Sequence, residues 1–329
     1  MKKIFAFILI VTVLFCCSCA SQKTVVYSGS FIDLPLLEQH STDNALTTVG
    51  TPASIVGNER WIAYVDSEQR LLYTDKTGIS HCAEQSFNQQ GDIKLLNNTL
   101  YYTVPNQQND EIQDFYKVDM TTGVKTLERQ CWGNNLFYID SYGALFTLDD
   151  LFNWANDEKQ RYSFTGSEFL YHNGTVYQSE ENAILYAKKG GDINAIPEER
   201  LTVLFSTNQK VYYIARNSRR KAEIGIVNAE QMETQLQIDL EGWNGPVLAV
   251  GSDYFITSNG EGNLFAYMRQ ENGEYSNFKI SDSVTEDPFT VAGAVVCRCE
   301  EPLGYETPYL QPIGQGFFVL NIDRLRKAS

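Results

Sequence analysis

The amino-acid sequence predicts an all-β fold, and three observations support that prediction. Short apolar runs rich in aromatic and β-branched residues recur along the 329-residue chain, and such residues suit the pleated, half-buried surface of a strand. Turns of Asn, Gly or other polar residues precede these runs. The runs return at intervals of about 40 residues. Small sheets with this spacing are typical of β-propeller blades, which bury both faces only by packing around a common axis.

The clearest repeat unit spans residues 95–123. Within it, two apolar runs meet at the turn Asn97-Asn98, and a third run ends in a turn that contains Asp119 and Gly123. Gly and Asn tolerate the positive φ angles that tight hairpins demand. We therefore predict a β-meander at this point, with weaker copies of it along most of the chain.

Seven aromatic-rich strands follow such turns. They are predicted to begin at Trp61, Leu100, Leu136, Val176, Val211, Tyr254 and Phe317, which are separated by 39, 36, 40, 35, 43 and 63 residues. Seven starts predict about seven blades. Six to eight blades are possible, since the long last interval contains either an insertion within 274–306 or a degenerate copy at 291–296, which would make eight blades. A long β-sandwich is the alternative fold, but it gives no reason for the regular spacing.

The two ends of the chain predict how the ring closes. Little chain follows the strand at 317–320, so one strand of the last blade has to come from the N-terminal region, where 25–27 and 31–37 are the suppliers. Pairing an N-terminal strand into the last blade would remove an exposed sheet edge. Helical periodicity is confined to one or two turns, as at 229–236.

One turn carries a resemblance to a known repeat. The turn 119–123, which reads Asp-Met-Thr-Thr-Gly, resembles the Asp-x-x-Thr-Gly turn of quinoprotein-type propeller repeats, and 75–78 is a shortened version. Leu127 stands where the closing tryptophan of those repeats is expected, which argues against a quinone-binding enzyme. More broadly, residues 52–320 resemble uncharacterised bacterial lipoproteins with degenerate propeller repeats. This resemblance implies blade architecture without specific chemistry, and no cofactor is expected.

The first residues read as an export signal. Lys2 and Lys3 precede an apolar run at 4–15, which is too short to span a bilayer comfortably. The segment resembles a bacterial lipoprotein signal, and this resemblance implies cleavage before a cysteine that then carries acyl chains such as palmitate. Cys19 fits this role because the small Ser18 precedes it.

Two alternatives to lipidation at Cys19 remain. Cys17 is the rival site, since Leu14 lies three residues before it, whereas Cys16 holds the corresponding place before Cys19. An ordinary secretory signal without a lipid is the other alternative. Under the Cys19 interpretation, residues 1–18 form the signal peptide, 19–24 a lipidated tether and 25–329 a single propeller domain.

The net charge limits the partners. The formal charge is -15, and loss of Lys2 and Lys3 with the signal would make it two units more negative. So acidic a chain is a poor candidate for broad contact with nucleic acid or anionic lipid. We expect a monomer attached to the bacterial cell membrane or outer membrane through its lipid, facing the periplasm or the exterior.

Four cysteines remain after the signal, and outside the cytoplasm an even number invites disulfides. Cys297 and Cys299 are separated by one residue, so a strand would place both thiols on one face. This pair could form a strained local bridge, reach Cys82 and Cys131, or consist of small buried side chains. Buried thiols or one long-range bridge are favoured.

Other reactive residues have no specific spacing. The histidines, His40, His81 and His172, are not at metal-ligand spacing, so no metal site is expected. Carboxylates cluster at 110–114, 149–150, 157–158, 198–199 and 300–301, where solvation explains them as well as catalysis does. A basic run at 216–221 is predicted to be a hairpin tip, and Trp132, Trp154 and Trp243 either stack on sugars or lie in the core.

These patterns favour a binding or scaffold protein of the cell envelope over an enzyme. The rigid ring of a propeller offers loops and a central funnel that can hold a protein or a polysaccharide. The alternative function is that of a carbohydrate-active enzyme or lectin, because propellers host such activities.

Overall fold

The structure is a computed structural model, and it describes residues 22–27, 32–41, 46–47, 53–75, 77–87, 91–133, 137–139, 142–147, 150, 170–172, 174–180, 183–188, 191–197, 201–206, 211–216, 221–228, 231–239, 247–258, 263–299 and 308–329. The predicted signal peptide and Cys19 lie outside the described residues. No helix in these ranges has the length and apolar character that a bilayer crossing requires.

Three short strands near the N-terminus precede the sheets that they join. These strands are β1 (Gln22–Lys23), β2 (Val25–Tyr27) and β3 (Leu46–Thr47). The following strands belong to seven sheets, numbered in chain order. Sheet 1 contains β4 (Ile55–Gly57), β5 (Trp61–Val65), β6 (Leu71–Asp75) and β7 (Ser80–Glu84). Sheet 2 contains β8 (Ile93–Leu96), β9 (Thr99–Pro105), β10 (Ile112–Asp119) and β11 (Val124–Trp132).

The next three sheets follow the same order. Sheet 3 contains β12 (Phe137–Ile139) and β13 (Leu145–Thr147). Sheet 4 contains β14 (Leu170–His172), β15 (Thr175–Glu180), β16 (Ala183–Lys188) and β17 (Asn194–Pro197). Sheet 5 contains β18 (Leu201–Ser206), β19 (Val211–Arg216), β20 (Lys221–Asn228) and β21 (Gln231–Asp239). The segment at 229–236, which showed helical periodicity, therefore lies largely in strand β21.

The last two sheets complete the chain. Sheet 6 contains β22 (Val247–Val250), β23 (Tyr254–Ser258), β24 (Leu264–Arg269) and β25 (Tyr275–Ser281). Sheet 7 contains β26 (Val284–Val291), β27 (Ala294–Cys299), β28 (Leu310–Gly314) and β29 (Phe317–Leu320), in the spatial order β26-β27-β29-β28. In sheets 1, 2, 4, 5 and 6 each strand pairs antiparallel with the next one along the chain where pairing is described.

Packing between neighbouring sheets makes this arrangement a β-propeller. Shared apolar cores join sheet 1 to sheet 2, sheet 2 to sheet 3, sheet 4 to sheet 5, sheet 6 to sheet 7, and sheet 7 back to sheet 1. The first strands of three neighbouring sheets are also in contact, since β4 contacts both β8 and β26. The short strand β3 pairs with β22 at the inner edge of sheet 6 and contacts the first strands of both neighbouring sheets, β18 and β26.

Six of the seven predicted strand starts agree with the structure to within one residue, and Leu136 lies outside the described residues. The predicted blade count is wrong: five sheets, namely 1, 2, 4, 6 and 7, have four or five strands and several buried side chains among the described residues, which indicates five blades instead of about seven. Sheet 3, which follows the start predicted at Leu136, has only two strands and is not counted as a blade. Sheet 5 has four strands, but most of its side chains lie outside the description, so little of its core packing is described. The copy at 291–296 and the strand at Phe317 belong to one sheet, which explains the long last interval.

The aspartate turns form as their composition predicts. The Asp119 carboxylate accepts hydrogen bonds from the backbone N–H groups of Thr121 and Thr122, and the Gly123 N–H donates to the Asp119 carbonyl over 2.7 Å. Gly123 has a φ of 71°. Asp75 forms the same kind of turn, in which it accepts from the Thr77 N–H. Asn97, with a φ of 53°, supplies the left-handed residue of its hairpin.

The prediction that an N-terminal strand closes the last blade is wrong. Sheet 7 consists of residues from its own segment, because the hairpin β28–β29 supplies two strands after β27. Strand β2 instead pairs with β7 on the outer edge of sheet 1, and β1 pairs with β11 on the outer edge of sheet 2. Residues 22–24, which were predicted to be part of the tether, therefore pair with the edge of sheet 2.

Two short helices cover the last blades. Helix α1 (Leu34–Gln39) lies in the segment 31–37 that was predicted to be a strand. Its N-cap is Asp33, whose carboxylate accepts from the Leu36 N–H, and the Asp33 N–H donates to the Ile313 carbonyl on sheet 7. Helix α2 (Ile322–Ala328) buries Ile322 and Leu325 against sheets 6 and 7.

Candidate functional site

A cavity of about 400 Å³ lies where sheet 7 meets sheet 1, and we call it the closure cavity. Helix α1 and Ser41, which lies two residues after its end, form one wall, the β4–β5 turn of sheet 1 a second, and the β26–β27 turn of sheet 7 a third. The lining residues are Leu37, Glu38, Ser41, Asn58, Glu59, Arg60, Ile62 and Ala292. A cavity of this volume is within the range of small-ligand sites.

The β4–β5 turn is held by Asn58. Its side-chain oxygen accepts hydrogen bonds from the backbone N–H groups of Arg60 and Trp61, each over 2.9 Å. Its side-chain nitrogen donates to the Asn97 carbonyl on sheet 2 over 2.8 Å. Since one side chain fixes both its own turn and the neighbouring blade, Glu59 and Arg60 are presented from a braced loop.

Trp61 provides the support beneath Arg60. The Trp61 ring is buried, its Nε1 donates to the Asn98 side-chain oxygen over 2.9 Å, and it packs edge-on against Tyr73. The Arg60 guanidinium carbon lies 5.2 Å from the Trp61 ring centre. This cation–π distance holds the arginine side chain over the indole while the guanidinium stays exposed.

The β26–β27 turn forms the opposite wall with a strained backbone. Ala292 has a φ of 48°, and Gly293 follows with a φ of 83°, which is the pattern of a type I′ hairpin. An alanine in the left-handed region is disfavoured relative to glycine. The Ser41 hydroxyl donates to the Ala292 carbonyl over 2.7 Å, so the segment just after helix α1 holds this turn in place.

The closure cavity therefore has mixed chemistry. Its carboxylates, Glu38 and Glu59, can accept from a cationic group, and Arg60 can donate to an anionic one. Leu37, Ile62 and Ala292 provide an apolar surface between these charges. Such a lining suits a ligand that carries both charges and an apolar portion.

Polar side chains also join sheets 7 and 1 beyond the cavity. The Ser54 hydroxyl donates to the Glu286 carboxylate, which in turn accepts from Arg298 over 3.1 Å. Both charged side chains are largely buried. The Arg298 guanidinium also lies over the Phe317 ring, with 5.1 Å between its central carbon and the ring centre. These contacts fix the two sheets relative to each other.

The four predicted cysteines lie in three places and carry thiols. The sulfur atoms of Cys297 and Cys299 are 3.8 Å apart in the core between sheets 6 and 7. Cys82 is buried on β7, and burial raises the pKa of its thiol to about 11. Cys131 is half-buried on β11, next to the core that joins sheets 2 and 3. Neither a bridge between Cys297 and Cys299 nor a link to Cys82 or Cys131 is present.

The carboxylate cluster at 110–114 separates into different environments. Asp110 and Glu111 are exposed in the β9–β10 turn. Asp114 is buried, and its carboxylate accepts from the side-chain amides of Asn106 and Gln130 over 2.7–3.1 Å. Because these amide donors satisfy its carboxylate, Asp114 can be buried, and its role is structural. The clusters at 157–158, 198–199 and 300–301, with Asp149, lie outside the described residues.

The remaining predicted residues are scattered. His40 bonds to Gln311 through its Nε2 over 2.6 Å, and His81 stacks on Tyr73. Trp132 is exposed at the end of β11, far along the chain from the closure cavity. The side chain of His172, the residues Trp154 and Trp243, and the basic tip 217–220 are outside the description. Within the described ranges no three His, Cys, Asp or Glu side chains are grouped as metal ligands.

The sequence did not identify the closure cavity. Asn58 was predicted only as part of the turn before the strand at Trp61, Ala292 fell within the predicted copy at 291–296, and Ser41 was not recognised at all. One local signal was available in the sequence. Asn58 begins the β4–β5 turn and is followed by Glu59 and Arg60, so it could have indicated a structured turn that presents two opposite charges.

Comparisons with known proteins leave the family open. No protein-family model matches the chain, and no curated protein matches it. Among solved structures, the β-propeller domain of Cps50 (Swd1) from Myceliophteria thermophila is 11% identical, with a TM-score of 0.45 over 83% of this chain and 97% of that one. The tricorn protease is 12% identical, with a TM-score of 0.46 over 79% of this chain and 33% of that one.

A third similar structure is a putative 6-phosphogluconolactonase from Bacteroides fragilis. It is 13% identical, with a TM-score of 0.34 over 78% of this chain and 88% of that one. The fold assignment rests on the strand pairing described above and not on these similarities.

Proposed function

We propose that this chain is an exported lipoprotein of the bacterial cell envelope that binds a partner protein in the closure cavity. The mixed lining of that cavity is the observation that supports binding of a short peptide segment. A peptide carries backbone and side-chain groups of both signs, which match Glu38, Glu59 and Arg60, and its apolar side chains match Leu37, Ile62 and Ala292.

The walls of the cavity suit a preformed binding site. Hydrogen bonds from Asn58 and Ser41 hold two of its turns, so little ordering of the protein is needed when a ligand binds. A site that is ordered before binding loses less entropy on association. The anchor in this proposal is an acylated Cys19, as the N-terminal resemblance implies.

A charge reversal at the cavity tests the binding proposal. The acylated, full-length protein is screened against short zwitterionic peptides, a glycan array and a panel of glycoside substrates. We expect a peptide to bind, and Arg60→Glu to weaken that binding at least tenfold. The matched control is Lys279→Glu, which changes the net charge by the same amount and sign, because Lys279 is 50% exposed on β25 of sheet 6.

The other arms of this experiment can overturn the proposal. Glycan binding that survives Arg60→Glu, or turnover of a glycoside, would favour the carbohydrate-active alternative. Equal loss of peptide binding in both variants would place the site elsewhere. Mass spectrometry of the mature N-terminus tests the anchor, and an unmodified Cys19 would contradict it.

A further inference from the structure

The exposed apolar side chains are concentrated at one part of the outer rim. Six large hydrophobic residues are exposed among the described residues, and four of them belong to the outer part of sheets 1 and 2: Val25 and Val26 on β2, Ile79 just before β7, and Leu127 on β11. We call this group the rim patch; its members are Val25, Val26, Ile79 and Leu127. Val25 and Val26 are 51% and 60% exposed, although they are consecutive residues of a paired strand.

The N-terminal segment joins the two halves of the rim patch. Strand β1 pairs with the start of β11 on sheet 2, and β2 pairs with β7 on sheet 1. Thr24 lies between them, where its N–H donates to the Gly123 carbonyl and its hydroxyl lies 3.0 Å from the Tyr73 hydroxyl. This segment is thus fixed across the boundary of two blades.

The edge of sheet 2 continues the apolar surface. Strand β1 covers only the first two residues of β11, and among the described residues no other strand pairs along the outer side of β11. Leu127 lies just beyond the covered part, and Trp132, which is 63% exposed, lies at the far end of the same edge. An open edge with exposed apolar side chains normally requires a covering surface.

Covalent geometry places the proposed anchor next to this patch. Three residues separate the position of Cys19 from that of Gln22, where β1 begins. An extended chain spans at most about 3.6 Å per residue, so the Cys19 backbone lies within about 11 Å of Gln22. Acyl chains on Cys19 would therefore keep the start of β1, and the rim patch beside it, close to the membrane surface.

We propose that the rim patch lies on the lipid bilayer, so that the propeller is bound edge-on through sheets 1 and 2. This inference rests on the proposed lipid anchor and adds an orientation to it. Apolar side chains at the boundary of headgroups and acyl chains add to the binding that acyl chains provide. The charged pair beside the patch, Lys117 with Glu128, is mutually neutralised over 2.7 Å.

An edge-on orientation has a consequence for the closure cavity. Because the contact with the membrane is made by outer strands, the propeller axis lies roughly parallel to the bilayer. Both faces of the ring then remain open to the aqueous phase, including the face on which the β4–β5 turn presents Arg60.

Photocrosslinking to lipid tests this orientation. The full-length, acylated protein is reconstituted in phosphatidylcholine vesicles with p-benzoylphenylalanine at Val26 or at Leu127. The matched control carries the same probe at Asn277, which is exposed on the outer strand β25 of sheet 6. We expect lipid adducts at Val26 and Leu127, at least tenfold more than at Asn277.

The two proposals fail in different ways. An acylated N-terminus with equal or absent adducts at all three positions would overturn the edge-on orientation and leave the lipid anchor standing. A mature chain without acyl groups would overturn the anchor. Far-ultraviolet circular dichroism and urea unfolding of each probe variant check that an absent adduct does not reflect a loss of folding.

Discussion

Sheet 1 meets its two neighbours in different ways, although the same four strands form both boundaries. Its boundary with sheet 2 joins consecutive segments of the chain, and its boundary with sheet 7 joins segments more than 200 residues apart. We call these the consecutive boundary and the closure boundary.

The consecutive boundary contains a partly buried charge. Lys125 donates to the Glu84 carboxylate over 2.6 Å, and the two side chains are only 13% and 22% exposed. The lysine nitrogen also lies 4.2 Å from the Tyr116 ring centre and 5.3 Å from that of Tyr102. The Tyr102 hydroxyl donates to the Ala83 carbonyl over 3.0 Å. Polar contacts thus specify how these two blades meet.

The closure boundary combines an apolar core, a helix and the polar contacts of Ser54, Glu286 and Arg298. Tyr64 and Phe317 meet edge-on in its core, and Leu37 of helix α1 packs into the same core. The closure cavity lies beside this helix. The comparison teaches that both boundaries have an apolar core and a largely buried ion pair, and that the closure boundary adds a helix with a cavity beside it.

The largest predicted effect comes from emptying the closure boundary. Phe317→Ala removes a fully buried ring, and we expect the free energy of unfolding to fall by about 3–5 kcal/mol, as for other buried aromatic residues. Urea unfolding followed by tryptophan fluorescence measures this change. The control is Tyr142→Ala, since Tyr142 is 95% exposed and its loss should cost less than about 0.5 kcal/mol. Similar losses in both variants would contradict a closure core centred on Phe317.

A smaller effect is predicted for the consecutive boundary. Lys125→Met keeps much of the side-chain volume but leaves the Glu84 carboxylate without its cation and removes the contact with the tyrosine rings. We expect the free energy of unfolding to fall by about 1–3 kcal/mol. Urea unfolding at low salt and at 0.5 M NaCl measures this change, and the loss should persist in salt because the pair is largely buried.

The double variant Lys125→Met with Glu84→Gln separates the ion pair from packing. Replacing Glu84 by a neutral amide removes the isolated charge, so the double variant should be more stable than Lys125→Met alone. If the losses in the free energy of unfolding of Lys125→Met and Glu84→Gln simply add in the double variant, the two side chains do not interact. The ion pair then does not determine how sheets 1 and 2 meet.

Local chemistry explains what the sequence could predict. The strand starts at Trp61, Val211, Tyr254 and Phe317 were predicted to the residue, because turns and the strands after them are encoded within a few positions. The closure was not predictable in this way, since the packing of sheet 7 on sheet 1 joins segments that share no local signal.

The helix α1 was misread for an identifiable reason. Its apolar residues are close together and look like a strand, whereas its start is signalled by the cap Asp33 and by Pro35 in the first turn. The closure cavity could not be predicted because its walls come from three separate segments. The asparagine turns were correctly placed, but their bonds to neighbouring blades depend on the assembled ring.

The smallest predicted effect compares the two helices. Helix α2 covers the boundary of sheets 6 and 7 as α1 covers the closure boundary, but an ion pair on the surface ties it down: Arg326 donates to Asp253 through two nitrogen atoms over 2.7 and 3.0 Å. The hydrogen bond from Arg326 lowers the pKa of the Asp253 carboxyl below its usual value near 3.8. A lowered pKa in the folded state stabilises the protein above the unfolded pKa, and this contribution is lost as the pH falls through the folded value.

Asp253→Asn should therefore be less stable than the wild type at pH 7, by less than about 1 kcal/mol because both side chains are more than about a third solvated. This difference in the free energy of unfolding between wild type and variant, which we call the gap, should shrink steadily as the pH falls below about 3.8, where the wild-type carboxylate also becomes neutral. Urea unfolding from pH 7 to pH 2.5 measures it. Asp282→Asn is the control, since Asp282 is 74% exposed and only 3.4 Å from its partner Lys279, so its gap should be smaller at every pH. A gap for Asp253→Asn that stays constant into acid would mean that packing of Ile322 and Leu325 alone holds α2, as packing of Leu37 holds α1.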